Sequence, residues 1–265
     1  MNRQKQESPL YSKERKSIDL KLLNELYIQL YSVRDVMENN FIGILEKLGN
    51  KGMGYTGVEF AGFDDIPAAE MKKALENNGL IALASHVRIE ELTSDIDNII
   101  EYHKTIGTPY ILCPMAEMET KKDAIAAAKE LTPIANKITA AGMKFGYHNH
   151  AHEFIIDEGE YLLDILFDNL PEDSIMELDI FWSELAKVDS LAYMEKHKKR
   201  LELMHIKQIG KDGSNAEVDK GLIDFKDITE KAKAMGVKHF ILEQEEYEVS
   251  SMASAKNAIN YLKSL

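Results

Sequence analysis

Short apolar and β-branched runs alternate along the chain with longer amphipathic segments. The short runs predict strands, and the segments whose apolar residues recur three or four positions apart predict helices. Strands are expected at residues 26–33, 57–61, 81–87, 110–114, 144–148, 174–179, 201–206 and 239–243. Strands that alternate with helices in units of roughly thirty residues are typical of a parallel sheet.

The helices are expected between these strands, where Gly, Pro or Asn mark the joins. The segments are 41–48, 68–76, a stretch that follows Ser94, 121–141, 161–167, 191–197, 227–235 and 253–262. Gly79 predicts a C-cap for the second helix. Ser94 predicts an N-cap for the third, in which Ile100 and His103 share one face. Pro133 is expected to bend or divide the long helix at 121–141.

The number of units selects the architecture. Eight strand–helix units in 265 residues favour a closed barrel over an open doubly wound sheet. No G-x-G-x-x-G follows the first strand, so a dinucleotide-binding fold loses its main support. The sequence therefore predicts an α/β protein with a single (β/α)8 TIM barrel over residues 26–265, preceded by an N-terminal leader at 1–25.

The charge balance narrows the classes of partner. The chain carries 32 Lys and Arg against 45 Asp and Glu, a formal net charge of −13, which disfavours nucleic acid and anionic lipid. The first 20 residues lack the apolar stretch of a signal peptide, and no segment has the length of a membrane span. Cys113 is the only cysteine, so no disulfide forms within one chain. We expect a cytoplasmic protein without nucleic acid or membrane as partner; a homo-oligomer is compatible with the sequence.

The predicted strand ends collect ionisable residues that the strand interiors lack. They are Glu59, His86, His148, His150, Glu177, Asp179, His205, Lys207 and Glu243. Taken singly, such a residue is compatible with a helix cap or a structural hydrogen bond. Their recurrence at the C-terminal strand ends, where TIM barrels carry their active sites, predicts a catalytic site. Four consecutive strands offer one metal ligand each: His148 or His150, then Asp179, His205 and Glu243. Mixed imidazole and carboxylate ligation suits Mn, Fe, Co or Zn.

Six sequence motifs carry a family resemblance. The first two are Gln29-Leu-Tyr-Ser-Val-Arg-Asp35 and Gly57-Val-Glu-Phe-Ala-Gly62. The other four are Gly146-Tyr-His-Asn-His-Ala-His-Glu-Phe154, Glu177-Leu-Asp-Ile-Phe-Trp182, Leu203-Met-His-Ile-Lys207 and Ile241-Leu-Glu-Gln244. In this order they resemble the sugar phosphate isomerase/epimerase family of xylose-isomerase-like barrels, and the similarity runs from about Leu26 to the C-terminus.

The resemblance implies one divalent metal ion (Mn, Co, Zn, Fe or Mg) bound by Asp179, His205, Glu243 and a residue of the fifth strand. Ketose 3-epimerases of this superfamily carry a Glu at the fifth-strand position. Here His148 stands at that place, with His150 two residues further on, as in the similar inosose dehydratase branch. A second departure is Gln208, where related sequences often have Asp.

The implied activity is isomerisation or epimerisation of a small-molecule sugar through an enediolate next to its carbonyl. Glu243 is the expected base, and His148 or His150 would return the proton. Substrate contacts are expected from Glu59, His86, Glu153, Lys207 and Trp182. The alternatives are a keto-sugar dehydratase or keto-glycoside lyase on the same scaffold, an endonuclease IV-like nuclease, and a non-catalytic sugar-binding barrel.

Overall fold

Eight parallel strands close into a barrel in the computed structural model, which describes residues 23–38 and 40–265. The strands are β1 Tyr27–Gln29, β2 Gly57–Phe60, β3 Ile81–His86, β4 Tyr110–Cys113, β5 Lys144–His148, β6 Ile175–Asp179, β7 Leu201–Ile206 and β8 His239–Leu242. Each strand pairs with its neighbours in the sequence, and β1 pairs with both β2 and β8 to close the barrel. The predicted (β/α)8 barrel is confirmed; residues 1–22 of the predicted leader lie outside the described residues.

Helices form the outer layer of the barrel. In the described ranges they are α1 Arg34–Met37, α2 Phe41–Leu48, α3 Ala68–Asn78, α4 Ile89–Ile106, α5 Lys121–Ala140, α6 Leu162–Asn169, α7 Ile180–Leu185, α8 Ser190–His197, α9 Phe225–Met235 and α10 Ser251–Leu262. Gly79 adopts the left-handed conformation as the C-cap of α3, as predicted. None of the helices in these ranges is long and apolar enough to cross a membrane.

Two local predictions differ from the structure, and one of the two alternatives predicted at Pro133 is excluded. The first strand ends at Gln29, because its side-chain oxygen accepts a hydrogen bond from the Tyr31 N–H and starts a 3-10 turn. Helix α4 begins at Ile89, and Ser94 is not its N-cap, since the Ser94 hydroxyl donates to the carbonyl of Glu90. The residue after Ser94, Asp95, has non-helical backbone angles and kinks this helix. Helix α5 is not divided at Pro133.

The barrel interior changes from apolar to ionisable along each strand. A separate apolar cluster fills the interior: Tyr27, Leu83, Ala84, Tyr110, Leu112, Ile175, Leu203 and Ile241. Because side chains alternate along a strand, the next inward residue on β6 after Ile175 is Glu177, followed by Asp179. On β7 the next inward residue after Leu203 is His205. The apolar layer therefore places a set of ionisable side chains at the C-terminal end of the barrel.

Candidate metal centre and active site

The predicted metal ligands lie near one another at the C-terminal ends of neighbouring strands, in staggered register. The Cα of His148 on β5 lies opposite Glu177 on β6, and the Cα of Asp179 lies opposite His205 on β7. Two residues before His148, Gly146 leaves no room for a side chain, since an added Cβ would lie 2.7 Å from Ile175 Cδ1. The end of β5 is therefore packed closely against β6.

Four side chains converge in the group predicted to bind metal. Ligand atoms of His148, Asp179, His205 and Glu243 all lie within 4.8 Å of one another, and all four residues are buried. Nδ1 of His205 lies 3.2 Å from Glu243 Oε2 and 3.9 Å from Asp179 Oδ2. The spacing and the mix of nitrogen and oxygen donors fit a single divalent cation.

The contacts of Asp179 leave one of its oxygens for a further ligand. Its N–H donates to the Asn149 side-chain oxygen at 3.0 Å, which fixes the end of β6. Its Oδ1 accepts from the Phe181 N–H at 2.8 Å and caps α7. Its Oδ2 is buried and carries no hydrogen bond from any described residue. A buried carboxylate oxygen that accepts no hydrogen bond is costly, and a bound cation would compensate its charge.

A second layer of carboxylates lies beneath this group. One oxygen of Glu177 lies 2.7 Å from His86 Nε2, 3.1 Å from His148 Nδ1 and 3.2 Å from His205 Nε2. His205 Nε2 also lies 2.7 Å from Glu59, which accepts a hydrogen bond from Gln29 Nε2 at 2.9 Å. The imidazole of His205 is thus held between two carboxylates on its Nε2 side and two on its Nδ1 side.

Burial and the carboxylates shift the pKa values of these groups in different directions. Burial alone would lower the pKa of His205, but Glu177 and Glu59 outweigh it and hold this pKa well above its usual value. Burial lowers the pKa of His148 well below its usual value, so its imidazole is neutral. Burial raises the pKa of Asp179 to about 7. The group therefore combines a protonated His205 with a neutral His148.

Lys207 joins the site from the end of β7. Its ammonium lies 3.3 Å from Glu243 Oε2, contacts Glu245, and sits 4.7 Å from the centre of the Trp182 ring. Burial opposes ionisation of Glu243, but Lys207 and His205 outweigh it and hold the pKa of Glu243 well below its usual value. Despite its burial, Lys207 has a raised pKa because of Glu243, Asp179 and Glu245. Both groups therefore remain charged at neutral pH.

A cavity of about 780 Å³ opens above these residues. Its floor and walls include five predicted site residues: His86, His148, His150, Trp182 and Glu243. The volume lies in the range of small-molecule sites. The imidazole of His150 lies 5.2 Å from the Trp182 ring, and burial lowers its pKa to about 4. A neutral imidazole and an indole thus form one wall.

The other predicted site residues are placed differently. Glu59, Asp179, His205 and Lys207 are fully buried beneath the cavity. The structure does not bring Glu153 to the cavity. Its carboxylate accepts hydrogen bonds from the Tyr147 hydroxyl at 2.9 Å and the His150 N–H at 2.8 Å, and so fixes the loop after β5. Its predicted contact with substrate stays a prediction.

Sequence reasoning gave no role in the site to three residues that the structure brings into it. Glu177 precedes Asp179 by two positions on the same strand face, and this spacing was the available signal. Glu245 contacts Lys207 from beyond β8, where no periodic pattern extends. Gln29 reaches Glu59 from β1. Gln208 does not face the cavity. Its side chain donates to the carbonyls of Val218 and Ile223 and holds the loop that follows β7.

Residues 51–265 match the xylose isomerase-like TIM barrel family. A sugar phosphate isomerase/epimerase from Parabacteroides distasonis superposes with a TM-score of 0.78 at 21% identity, over 90% of this chain and 93% of that one. A probable 3-DHS dehydratase from Bacillus anthracis gives 0.72 at 10% identity, over 90% and 98%. An IOLI protein with a bound zinc atom gives 0.68 at 15% identity, over 89% and 95%.

These identities establish a shared fold. The sequence matches no curated protein. The family match covers most of the chain, and the closed parallel barrel agrees with it. The chain therefore belongs to the xylose isomerase-like TIM barrel family.

Proposed function

We propose that this barrel is a metal-dependent sugar isomerase or epimerase that acts at the carbon next to a carbonyl group. One observation carries the proposal: ligand atoms of His148, Asp179, His205 and Glu243 converge within 4.8 Å. They lie at the C-terminal strand ends, beneath an open cavity. The similarity to structures of a sugar phosphate isomerase/epimerase and of a zinc-containing protein supports the same interpretation.

His148, Asp179, His205 and Glu243 would hold the ion. The unpartnered Oδ2 of Asp179 and the mixed donor set fit Mn, Co, Zn, Fe or Mg, with the nitrogen ligands favouring the first four. When bound, the ion supplies Lewis acidity that polarises the substrate carbonyl and stabilises the enediolate charge. His148 is the fifth-strand ligand in this proposal, since His150 stands on the cavity wall outside the converging group.

Glu243 is the proposed general base. Its depressed pKa keeps it ionised, and it borders the cavity, so its carboxylate is able to accept the proton next to the substrate carbonyl. Lys207 donates to the same carboxylate and orients it. His150 faces the cavity as a neutral imidazole and is the proposed group through which a proton from solvent reaches the opposite face of the sugar. Trp182 walls the site, and His86 borders it beside His148.

The second candidate function is elimination of water or of an aglycone from a keto sugar or keto glycoside. His148 occupies the fifth-strand position where epimerases of the superfamily carry a carboxylate. Glu243 would then remove the proton next to the carbonyl, the enolate would expel the neighbouring group, and the proton held by Glu243 would pass to the leaving oxygen. Measuring released water or aglycone against epimerised sugar separates the two reactions.

Glu243→Gln tests the proposed base. The metal-loaded protein is first assayed with a panel of sugars for solvent-deuterium exchange at the carbon next to the carbonyl. At saturating metal, the variant should lose both exchange and turnover by about 10²-fold or more, because an amide does not accept the proton. Glu46→Gln, an exposed substitution on α2, is the control with the same change of charge.

Two outcomes would contradict the assignment. Normal exchange with loss of net product would show that Glu243 acts in a step after proton removal. A histidine at the end of β5 would then be the better candidate for the base. Full activity of metal-loaded Glu243→Gln would show that the carboxylate acts only as a metal ligand. Absence of exchange and of elimination across the panel with the metal-loaded wild-type protein would contradict the proposed function itself.

A further inference from the structure

Carboxylates surround the mouth of the cavity above the proposed metal centre. Glu90 and Glu91 lie in the first turn of α4, Glu117 follows β4, and Glu245 follows β8. They come from three separate segments of the chain and all border the same opening. Glu90, Glu91 and Glu117 are exposed, and none of them forms an ion pair with another residue in the described part of the chain.

The nearby cations do not balance these charges. Arg88 is the only Lys or Arg among the described residues that line the cavity, and it is exposed next to Glu90. Lys207, beneath the cavity, is held by Glu243 and Glu245. Arg34 does not line the cavity, and its guanidinium donates to the carbonyls of Tyr31 and Glu245 and to the Tyr247 hydroxyl.

At the usual phosphate position of TIM barrels, side chains of this protein already cap the N-termini of the two helices. That position lies in the loops after β7 and β8, where helix N-termini offer free N–H groups. At the start of α9, Asp224 accepts from the N–H groups of Lys226 and Asp227 at 3.0 and 3.2 Å. At the start of α10, Ser250 accepts from Ala253, and the Glu217 carboxylate accepts from the Ser254 hydroxyl.

We propose that the cavity selects unphosphorylated sugars, and that Glu90, Glu91, Glu117 and Glu245 exclude the phosphorylated forms. The proposal rests on the proposed function and names its substrate class. A phosphate monoester carries a charge near −2 at neutral pH and needs cations or free N–H groups. At this mouth it meets like charge instead, whereas the hydroxyl groups of an uncharged sugar donate hydrogen bonds to carboxylates.

Binding of matched pairs to the metal-loaded protein tests the proposal. Each pair consists of a free ketose and its terminal phosphate ester, for example D-fructose with D-fructose 6-phosphate, in a panel of ketopentoses and ketohexoses. We expect the free sugar to bind at least about 10-fold more tightly. Exposed charges are screened over about 8 Å at physiological ionic strength, so the ratio should widen as salt is lowered.

Charge-neutral variants assign the discrimination to residues. The combined variant Glu90→Gln, Glu91→Gln and Glu117→Gln should reduce the ratio by about 3-fold or more, mainly by strengthening phosphate-ester binding. The combined variant Glu46→Gln, Glu76→Gln and Glu230→Gln removes the same charge from exposed positions on α2, α3 and α9 and should leave the ratio unchanged. An equal reduction in both variants would assign the effect to net charge and overturn the residue assignment.

The remaining outcomes separate this proposal from the proposed function. Phosphate esters that bind as tightly as free sugars, or more tightly, overturn the selection for unphosphorylated sugars and leave the isomerase intact. Loss of that phosphate-ester binding in Arg88→Gln would identify Arg88 as the phosphate ligand. If no member of any pair binds the metal-loaded protein, the proposed function fails and this proposal fails with it.

Discussion

Glu177→Gln tests whether the lower carboxylate layer positions the proposed metal ligands. One Glu177 oxygen lies 3.1 Å from His148 Nδ1 and 3.2 Å from His205 Nε2, two nitrogens of proposed ligands. A carboxylate there accepts N–H hydrogen bonds from both rings. The opposite nitrogens, His148 Nε2 and His205 Nδ1, would then offer their lone pairs to the ion. A glutamine has the same shape, but half of its head group is an N–H donor that faces these donors.

The expected magnitude follows from the two imidazoles that share this carboxylate. Removing a partner of a ligating histidine typically lowers metal affinity 10- to 100-fold, or about 1.4–2.8 kcal/mol. Because one Glu177 oxygen serves two of the four proposed ligands, we expect a loss near the upper end, about 100-fold. Titration of the metal-free protein with Co²⁺ by calorimetry measures the affinity. Long-range ¹H–¹⁵N NMR of the imidazoles reports which ring nitrogen carries the proton, a property that general destabilisation does not change.

Asp164→Asn is the matched control. Asp164 is a buried carboxylate that lies 2.6 Å from His197 Nε2 in the helical layer, between α6 and α8. The substitution should lower the free energy of unfolding without changing Co²⁺ affinity. Wild-type Co²⁺ affinity and unchanged imidazole tautomers in Glu177→Gln would refute the positioning role. An equal loss of affinity in Asp164→Asn would show that stability, and not ligand orientation, controls binding.

Substitutions at three other positions test the metal site, a buried histidine and a close approach in the loop after β7. Asp179→Ala should abolish metal binding and remove the α7 cap, whereas Asp179→Asn should weaken binding while keeping the cap; unchanged metal stoichiometry in Asp179→Ala would show that the site is wrong. Burial lowers the pKa of His103 from 6.5 to about 4, so the unfolded chain takes up a proton first and stability is lost as pH falls from 6.5 to 4. The stability difference between wild type and His103→Leu, followed by urea denaturation, should therefore decrease by about 3 kcal/mol over that window; a constant difference would contradict it. Gly221→Ala should destabilise the protein by about 1–3 kcal/mol, because its Cβ would lie 2.2 Å from the Gln208 side chain that holds the loop after β7; an unchanged urea midpoint would contradict this.

The sequence predicted the barrel because its strands are buried on both faces and read as short apolar runs between helices. It was less informative where side chains redirect the backbone. Gln29 ends β1 by accepting from the Tyr31 N–H, and the α4 helix starts ahead of Ser94, within a segment that contains the non-helical Asp95. Each of these departures depends on a local contact, and the spacing of apolar residues along the chain does not predict such contacts.

The clustering of ionisable residues at the predicted strand ends was as informative for the candidate site as the apolar runs were for the barrel. It selected Asp179, His205 and Glu243 together with His148 or His150, and the structure brings the ligand atoms of His148 and the other three together. It did not distinguish the layer of Asp179 from that of Glu177, because both residues face inward on β6. Which layer borders the cavity depends on strand tilt and on the lengths of neighbouring strands, and these are properties of the closed barrel.

The two sides of the His205 ring show why both layers are needed. Nδ1 faces Asp179 and Glu243, and Nε2 faces Glu59 and Glu177. With both nitrogens protonated, the ring compensates carboxylates on each side, which accounts for its raised pKa. A cation on the Nδ1 side would take over the charge there, while the Nε2 proton and its contacts with Glu59 and Glu177 would remain. The lower layer therefore holds His205 in one orientation with or without metal, so the ligand is positioned before the ion binds.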